Sequence, residues 1–309
     1  MSAAAKKRRK RPGFGGGIRL LIIAALIAAG VLALLISFGV IGPGAFSAYK
    51  RPAAADASTS VRFIDVGQGD CTLVVSKGEA MLIDTGETDG QDRVISYIRS
   101  LGIERLRYII ITHPHSDHMG EAADIINSFE VGGIIMPELP KALTPTAYSY
   151  ERLLKTMEKR GVPLTAAGNE EFPLGEIRVR TYIPDKWGED LNNCSAVVRL
   201  IHGSNSFLIT GDCGRDEEAE LLRQGCDLRA DVLKVGHHGS SSSSSEAFLA
   251  AVRPLYAVIS CGADNDYGHP SEKTLLRLKA IAKETYITRD SGTVTFVSDG
   301  RGLTVHTER

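Results

Sequence analysis

Short runs of β-branched and aliphatic residues recur along the chain, at 61–66 (VRFIDV), 72–76 (TLVVS), 80–83 (AMLI) and 107–111 (RYIII), and each predicts a strand. Lys77-Gly78 predicts the turn between the second and third. The period then changes: residues 91–101 place Val94, Ile95, Ile98 and Leu101 on one helical face, and residues 150–160 do likewise until Gly161-Val162-Pro163 stops them. Further strands are expected at 177–183, 196–201, 206–210, 231–235, 256–260, 285–288 and 293–297, and helices at 216–224, 246–252 and 271–282. Hairpins and β–α alternation occur together, so the expected class is α/β with mixed sheets covered by helices. One segment follows neither period. Leu20–Ile41 is an uncharged apolar run of 22 residues, long enough to cross a hydrocarbon core of about 30 Å as a helix.

Charge gives that segment a direction. The net charge of −1 sums two unlike pieces: residues 1–41 carry seven basic residues and no acidic ones, which leaves 29 basic against 37 acidic, or −8, for the rest. The basic run Lys6–Arg11 belongs on the cytoplasmic side of an anchor, which places the remainder outside the cell membrane. The expected order is a basic cytoplasmic tail (1–19), a single membrane span (20–41), an Ala/Pro/Gly/Ser linker (42–60) and one domain from 61 to 309. Ala53-Ala54-Ala55 leaves a cleaved, secreted form as the alternative. Ordinary hydrophobic (43%) and charged (24%) contents exclude wholesale disorder and a polytopic membrane protein. Five cysteines with no CxxC spacing support neither a zinc ribbon nor a disulfide framework, and read as small buried thiols.

The chemistry is concentrated in histidines. Six of the eight fall in three places: His113, His115 and His118; His237 and His238; and His269. ITHPHSDHMG follows a strand and precedes a helix, so its side chains hang at the carboxyl end of a strand. His113, His115, Asp117 and His118 at H-x-H-x-D-H spacing supply the nitrogen and oxygen donors that zinc or manganese accepts. Gly239 and Ser240–Ser245, just after a second histidine pair, predict a loop with few apolar contacts, placed as a rim of the site.

H-x-H-x-D-H, with Asp84 in MLIDTG, Asp212 in FLITGD and His237 in ADVLKVGHH in that order, resembles the metallo-β-lactamase superfamily from Val61 to near Gly300. FIDVGQGD, HPHSDHMG, LITGDC, DVLKVGHHGS and YGHP together look like the hydrolase domain of bacterial competence DNA-uptake channel proteins (ComEC) and its free-standing relatives. The resemblance implies a four-layer αββα sandwich with two divalent metal ions, zinc or manganese, in a cleft between the sheets. It implies that His113 and His115 hold one metal, that Asp117, His118 and His237 hold the other, and that Asp212 bridges them. His238 stands beside His237 as the alternative ligand, with strand-end geometry favouring His237. Asp84 is expected to orient His118 or its neighbours. Where many members of the superfamily carry another histidine, this chain has LNNCSAVVRL, with Asn192 and Asn193 at that point; His202 is read as a surface residue in a hairpin turn. The competence-type branch also has asparagine there, which argues against β-lactam hydrolysis and leaves room for a phosphate.

The resulting expectation is hydrolysis of DNA by a hydroxide generated at a two-metal centre, with Asp117, His238 and His269 in the catalytic machinery. Asp65, Gln68 and Asp70 in DVGQGD are expected either near the substrate or in turn chemistry, with Asn193 near the metals; Asn265, Asp266 and Tyr267 are read as loop formers. A charge of −8 outside the anchor does not attract a polyanion. A phosphodiesterase for a small or cell-surface ester, such as a phosphocholine ester, is therefore the alternative. Carboxyl ester or lactone hydrolysis ranks behind it. A binding module without catalysis has no use for so complete a donor set.

Overall fold

In chain order the strands are β1 (Thr59–Phe63), β2 (Thr72–Ser76), β3 (Glu79–Ile83), β4 (Arg105–Leu106), β5 (Tyr108–Ile110), β6 (Glu130–Val131), β7 (Ile134–Met136), β8 (Leu164–Ala166), β9 (Glu171–Leu174), β10 (Ile177–Tyr182), β11 (Val197–His202), β12 (Asn205–Ile209), β13 (Val232–Lys234), β14 (Tyr256–Ile259), β15 (Glu284–Ile287), β16 (Val294–Ser298) and β17 (Leu303–Thr307). The helices are α1 (Arg93–Ser100), α2 (Ser116–Met119), α3 (Ala122–Ser128), α4 (Tyr148–Arg160), α5 (Arg215–Arg223), α6 (Glu246–Val252), α7 (Glu272–Ile281) and α8 (Thr288–Ser291). This computed structural model describes residues 59–88, 92–185 and 190–309. The expected basic tail, membrane span and nearly all of the linker lie outside those residues. Among the described residues no helix is long and apolar enough to cross a membrane.

Two mixed sheets carry the fold. One runs β17-β16-β1-β2-β3-β5-β7-β8 and the other β15-β14-β13-β12-β11-β10-β9; β4 and β6 form a small separate pair. In the first sheet the pairing turns from antiparallel to parallel at β3, and in the second at β12. Side chains that alternate along each strand sort into two layers of apolar contact. Val74, Met81, Ile83 and Ile110 of the first sheet meet Val198, Leu200, Phe207 and Val232 of the second in a shared core. Leu73, Leu82 and Ile109 point the other way, onto Val94, Ile98, Ile125 and Leu153 of α1, α3 and α4. Val197, Leu208 and Leu233 likewise meet Leu221, Phe248 and Leu278 of α5, α6 and α7. The layers are therefore helix, sheet, sheet, helix.

Most expected elements appear within two or three residues of their predicted bounds; β1 begins at Thr59, ahead of the expected Val61. Among those not anticipated, β9 contains Pro173 and lies at a sheet edge, where the missing N–H is harmless. β17 is an edge strand with most of its residues exposed, so its apolar signal is weak. His202 corrects an expectation. It closes β11, 8% exposed, with Nδ1 2.8 Å from Ser298 Oγ, so it is part of the sheet and not of a surface turn. The cysteines form no disulfide among the described residues: Cys71, Cys194, Cys213 and Cys261 are buried and Cys226 half-buried.

Candidate metal centre

The parallel strands of both sheets deliver their carboxyl ends to one place. β3 runs into Asp84 and β5 into Thr112 and His113, while β12 runs into Asp212 and β13 into the turn Gly236–Gly239. Gly211, at φ +50, lets the second sheet's loop approach closely, because a Cβ there would stand 2.7 Å from Thr112 Oγ1. Gly69 does the same for the DVGQGD loop: its Cβ would lie 2.5 Å from the Asp117 carbonyl, and the neighbouring Asp70 N–H donates to that carbonyl at 3.0 Å.

Three imidazoles are gripped at Nδ1 and turn Nε2 inward. His118 Nδ1 donates to Asp84 Oδ2 at 2.9 Å, and Asp84 is itself fixed by the Thr112 N–H and hydroxyl, both at 2.7 Å. His238 Nδ1 donates to the Ser260 carbonyl at 3.0 Å. His113 Nδ1 lies 3.3 Å from Ser195 Oγ and 3.3 Å from Thr112 Oγ1. Their Nε2 atoms then surround one carboxylate: Asp212 is 3.9 Å from His113, 3.3 Å from His118 and 3.7 Å from His238. His115 Nδ1 stands 3.1 Å from His113 Nε2, and Asp117 Oδ2 lies 3.2 Å from His238 Nε2 and 3.8 Å from His118 Nε2.

These residues fit a pair of cations. His118 Nε2 and Asp212 Oδ1 are buried and have no hydrogen-bond partner among the described residues. Donor atoms of His113, His118 and Asp212, and again of Asp117, His118 and His238, lie within 4.8 Å of one another. The electrostatics agree. Burial alone would push the His118 and His238 imidazoles down, but the Asp212 carboxylate, helped by Asp84 for His118 and by Asp117 and Asp70 for His238, raises both, His238 to about 10. Burial alone would raise Asp117 and Asp212, yet His238 and His118 hold Asp117 down at about 2, and His118 and His238 hold Asp212 well below the carboxylate range. His113 is pressed well below its ordinary value by burial and then by the charge of His118. Without cations, the carboxylates thus draw protons onto His118 and His238.

Two neighbours exchange places relative to expectation. The strand that was to present His237 stops at Lys234, and both His237 (φ 49) and His238 (φ 51) are left-handed, so strand alternation does not continue into the turn. His238 takes the inner position, 2% exposed, with Nδ1 on a carbonyl and Nε2 against Asp117. Its Nε2 therefore joins the inward-facing imidazoles, in a cavity that it lines with Asp117 and His237. His237 keeps Nε2 3.8 Å from Asp212, but its side chain is 28% exposed at the mouth.

Asp70 is also not the turn former that its loop suggested. It is buried, with Oδ2 2.7 Å from Lys234 Nζ and Oδ1 3.4 Å from His238 Nδ1. Burial would raise its carboxyl, and Lys234 followed by His238 carries it well below the usual range. Lys234 was missed; a lysine inside the apolar run ADVLKVG was the available signal. Asp65 lies away from the centre: it accepts from the Gly67 N–H at 3.2 Å and pairs with Arg309. Gln68 lines the cavity and takes the Gly262 N–H at 3.1 Å. Asn193 bonds the Asp190 N–H at 3.2 Å and Glu217 at 2.7 Å and lines the adjoining cavity with Asp212 and His237, while Asn192 lines both that cavity and the one beside His238. His269 lines it too, held through its backbone by Asn265 at 2.8 Å, with Tyr267 stacked on its ring at 5.6 Å. The serine loop is not loosely held: Ser243 Oγ donates to the Gly236 carbonyl at 2.7 Å, and Glu218 takes the Ser244 and Ser245 N–H groups.

Residues 64–263 match the family described as the metallo-beta-lactamase superfamily. ComE operon protein 3 of Bacillus subtilis is 30% identical over 76% of this chain and 32% of its own length. Competence protein ComA of Neisseria gonorrhoeae is 32% identical over 83% and 35%. Recombination protein 2 of Haemophilus influenzae is 31% identical over 75% and 28%. The chain thus spans about a third of the length of these relatives. The metallo-beta-lactamase fold protein YhfI of Bacillus subtilis superposes with a TM-score of 0.51 at 13% identity, over 77% of this chain and 99% of that one, a likeness of fold alone.

Proposed function

The chain belongs to the metallo-beta-lactamase superfamily, and from that premise we propose that this metal-dependent hydrolase is a phosphodiesterase acting on DNA. The observation that carries the reading is the ring of inward Nε2 atoms around Asp212, in a cleft where Asn192 lines the wall in place of a further histidine. In this reading His113, His115 and Asp212 would hold one ion, and Asp117, His118, His238 and Asp212 would hold the other. Bound there, two divalent cations supply Lewis acidity at a phosphoryl oxygen and lower the pKa of a water.

The protein's own groups keep that centre in register. Asp84, Ser195 with Thr112, and the Ser260 carbonyl fix the tautomers of His118, His113 and His238, so each offers an Nε2 lone pair inward. His237 and His269 stand at the mouth, where they contact phosphate oxygens. Burial and then His237 press the His269 imidazole below its ordinary value, which favours the neutral ring. The resemblance to the hydrolase domain of DNA-uptake channels supports DNA as the substrate. The acidic charge of the chain beyond residue 41 favours a small or cell-surface phosphoester as the second reading. We further propose that the uncharged run 20–41 anchors the protein in the cell membrane with Lys6–Arg11 on the cytoplasmic side and the hydrolase outside.

The test is direct. The purified full chain, loaded with Zn²⁺ or Mn²⁺, is assayed on labelled single- and double-stranded DNA beside a bis-(p-nitrophenyl) phosphate, with Asp212→Ala as control. Cleavage that Asp212→Ala abolishes supports the reading. No phosphodiester cleavage with either metal at full occupancy sinks it.

A further inference from the structure

The metal cavity does not end at the metals. A cavity of about 380 Å³ beside His238 and His269 shares Asn192, Asp212 and His237 with a second of about 550 Å³, which in turn shares Arg215 and Lys273 with a third of about 500 Å³. Together they form one trough that leads away from the site along the serine loop. A small phosphoester fills only its first compartment.

The far wall is cationic in a way that net charge conceals. Lys273 and Arg277 stand four residues apart on α7 and so share a face, and Arg215 opens α5 beside them. Arg215 and Arg277 both donate to the Ser241 carbonyl, at 2.9 and 3.4 Å, and Arg277 also donates to Thr274 Oγ1 at 2.9 Å. Among the described residues none of the three makes an ion pair. Nearby carboxylates are already engaged: Glu217 accepts the Gly214 N–H and the Asn193 amide, and Glu218 accepts the Ser244 and Ser245 N–H groups. Asp190, Asp216 and Glu217 line the middle compartment, and Glu246 lines the last with the three cations. Burial and then the charge of Arg215 press Arg277 below its ordinary value, against the pull of Glu218 and Glu246. Arg107, Arg152, Arg223 and Arg289 are instead raised, each with a carboxylate or phenol partner. Three cations that make no ion pair among the described residues, on a wall they share with Glu246 as its one carboxylate, suit an incoming anion.

The near end of the trough has a different surface. Tyr267 is 72% exposed, lines the cavity that holds His238, and lies nearly parallel to His269, at 20°. An exposed ring at that mouth is a platform for a flat, unpaired base.

We infer that Arg215, Lys273 and Arg277, with Ser241 and Ser242, form a subsite for phosphates remote from the scissile one, and that Tyr267 stacks a base, so the trough holds a single-stranded nucleic acid. The inference rests on the phosphodiesterase reading and narrows its substrate to a polymer. A duplex cannot offer an unpaired base to Tyr267, and a small ester cannot reach the cationic wall.

The experiment measures binding without turnover. Full chain with metals bound is titrated into a fluorescent phosphorothioate oligothymidylate of about 15 nucleotides, chosen for its resistance to hydrolysis, over a range of salt concentrations. For R215A/K273A/R277A the expected result is at least tenfold weaker binding at low salt and a log–log salt slope shallower by about 2, from three phosphate contacts at about 0.7 each. Tyr267→Ala is expected to weaken binding about fivefold or more with the slope unchanged. Lys6–Arg11 are present in every variant, so differences isolate the trough. Should the triple variant not fold, Lys273→Glu, at an exposed position in the first turn of α7, reads the same cluster and is expected to weaken binding several-fold. Unchanged affinity and slope in these variants, or equal binding of a duplex, overturns the inference. Cleavage of DNA with trough-independent binding defeats the inference alone; trough-dependent binding without any cleavage defeats the phosphodiesterase reading alone.

Discussion

The two sheets meet the site with the same plan and opposite results. In each, the first parallel strand ends at an aspartate and the next at a histidine motif: β3 with Asp84 and β5 with His113, β12 with Asp212 and β13 with His237 and His238. Asp84 is saturated by the protein, with the Thr112 N–H, the Thr112 hydroxyl and His118 Nδ1 on its two oxygens. Asp212 Oδ1 has no hydrogen-bond partner among the described residues and faces imidazole Nε2 atoms. A strand end brings a carboxylate to the site; the partners that reach it decide whether it supports ligands or becomes one. The histidine motifs differ as well. The first is a helical turn, α2, backed by a carboxylate, and the second is a left-handed turn backed by the buried Lys234–Asp70 pair.

Substitutions at the paired positions can break this contrast. Asp212→Ala should abolish binding of both metals and lower activity by at least about a thousandfold, read by metal content and turnover, with the fold kept by circular dichroism. An equal effect of Asp84→Asn would erase the distinction, since Asp84→Asn is expected to leave both metals bound with affinity weakened roughly 10- to 100-fold. Lys234→Met leaves Asp70 buried without its ammonium partner, and should destabilise the protein by roughly 3–5 kcal/mol in denaturant titrations; a change below about 1 kcal/mol would show that the pair does not brace the second motif. His238→Ala should drop the metal stoichiometry from two to one, whereas His237→Ala should keep two and raise KM. The reverse pattern would restore His237 as the inner donor.

The dependence on pH gives a further check. His238 has a folded pKa of about 10 against 6.5 in its ordinary state, so its proton stabilises the metal-free fold fully below about 6.5. That contribution is lost as pH rises toward 10. Metal-free protein should therefore lose thermal stability between pH 7 and 10, and loaded protein should lose less, because the cations take over the role of the proton. Parallel melting curves for the two forms over that range would contradict this account.

The sequence by itself determined the strand and helix order, the αββα layering through its family resemblance, and the chemical identity of the donors, because these depend on local periodicity and on residue types at short spacing. H-x-H-x-D-H could be read directly, since its residues sit on one short loop and helical turn. The structure alone turned His238 inward and left His237 at the mouth, because two consecutive left-handed residues break the alternation from which a strand end is extrapolated. It alone paired Asp70 with Lys234 and moved Asp65 to Arg309, contacts between segments far apart in the chain. The cationic wall is of the same kind. Arg215, Ser241 and the Lys273/Arg277 pair are drawn from three separate segments, and a chain that is acidic beyond residue 41 reveals a local positive surface only once packing has placed those residues side by side and engaged neighbouring carboxylates with backbone N–H groups.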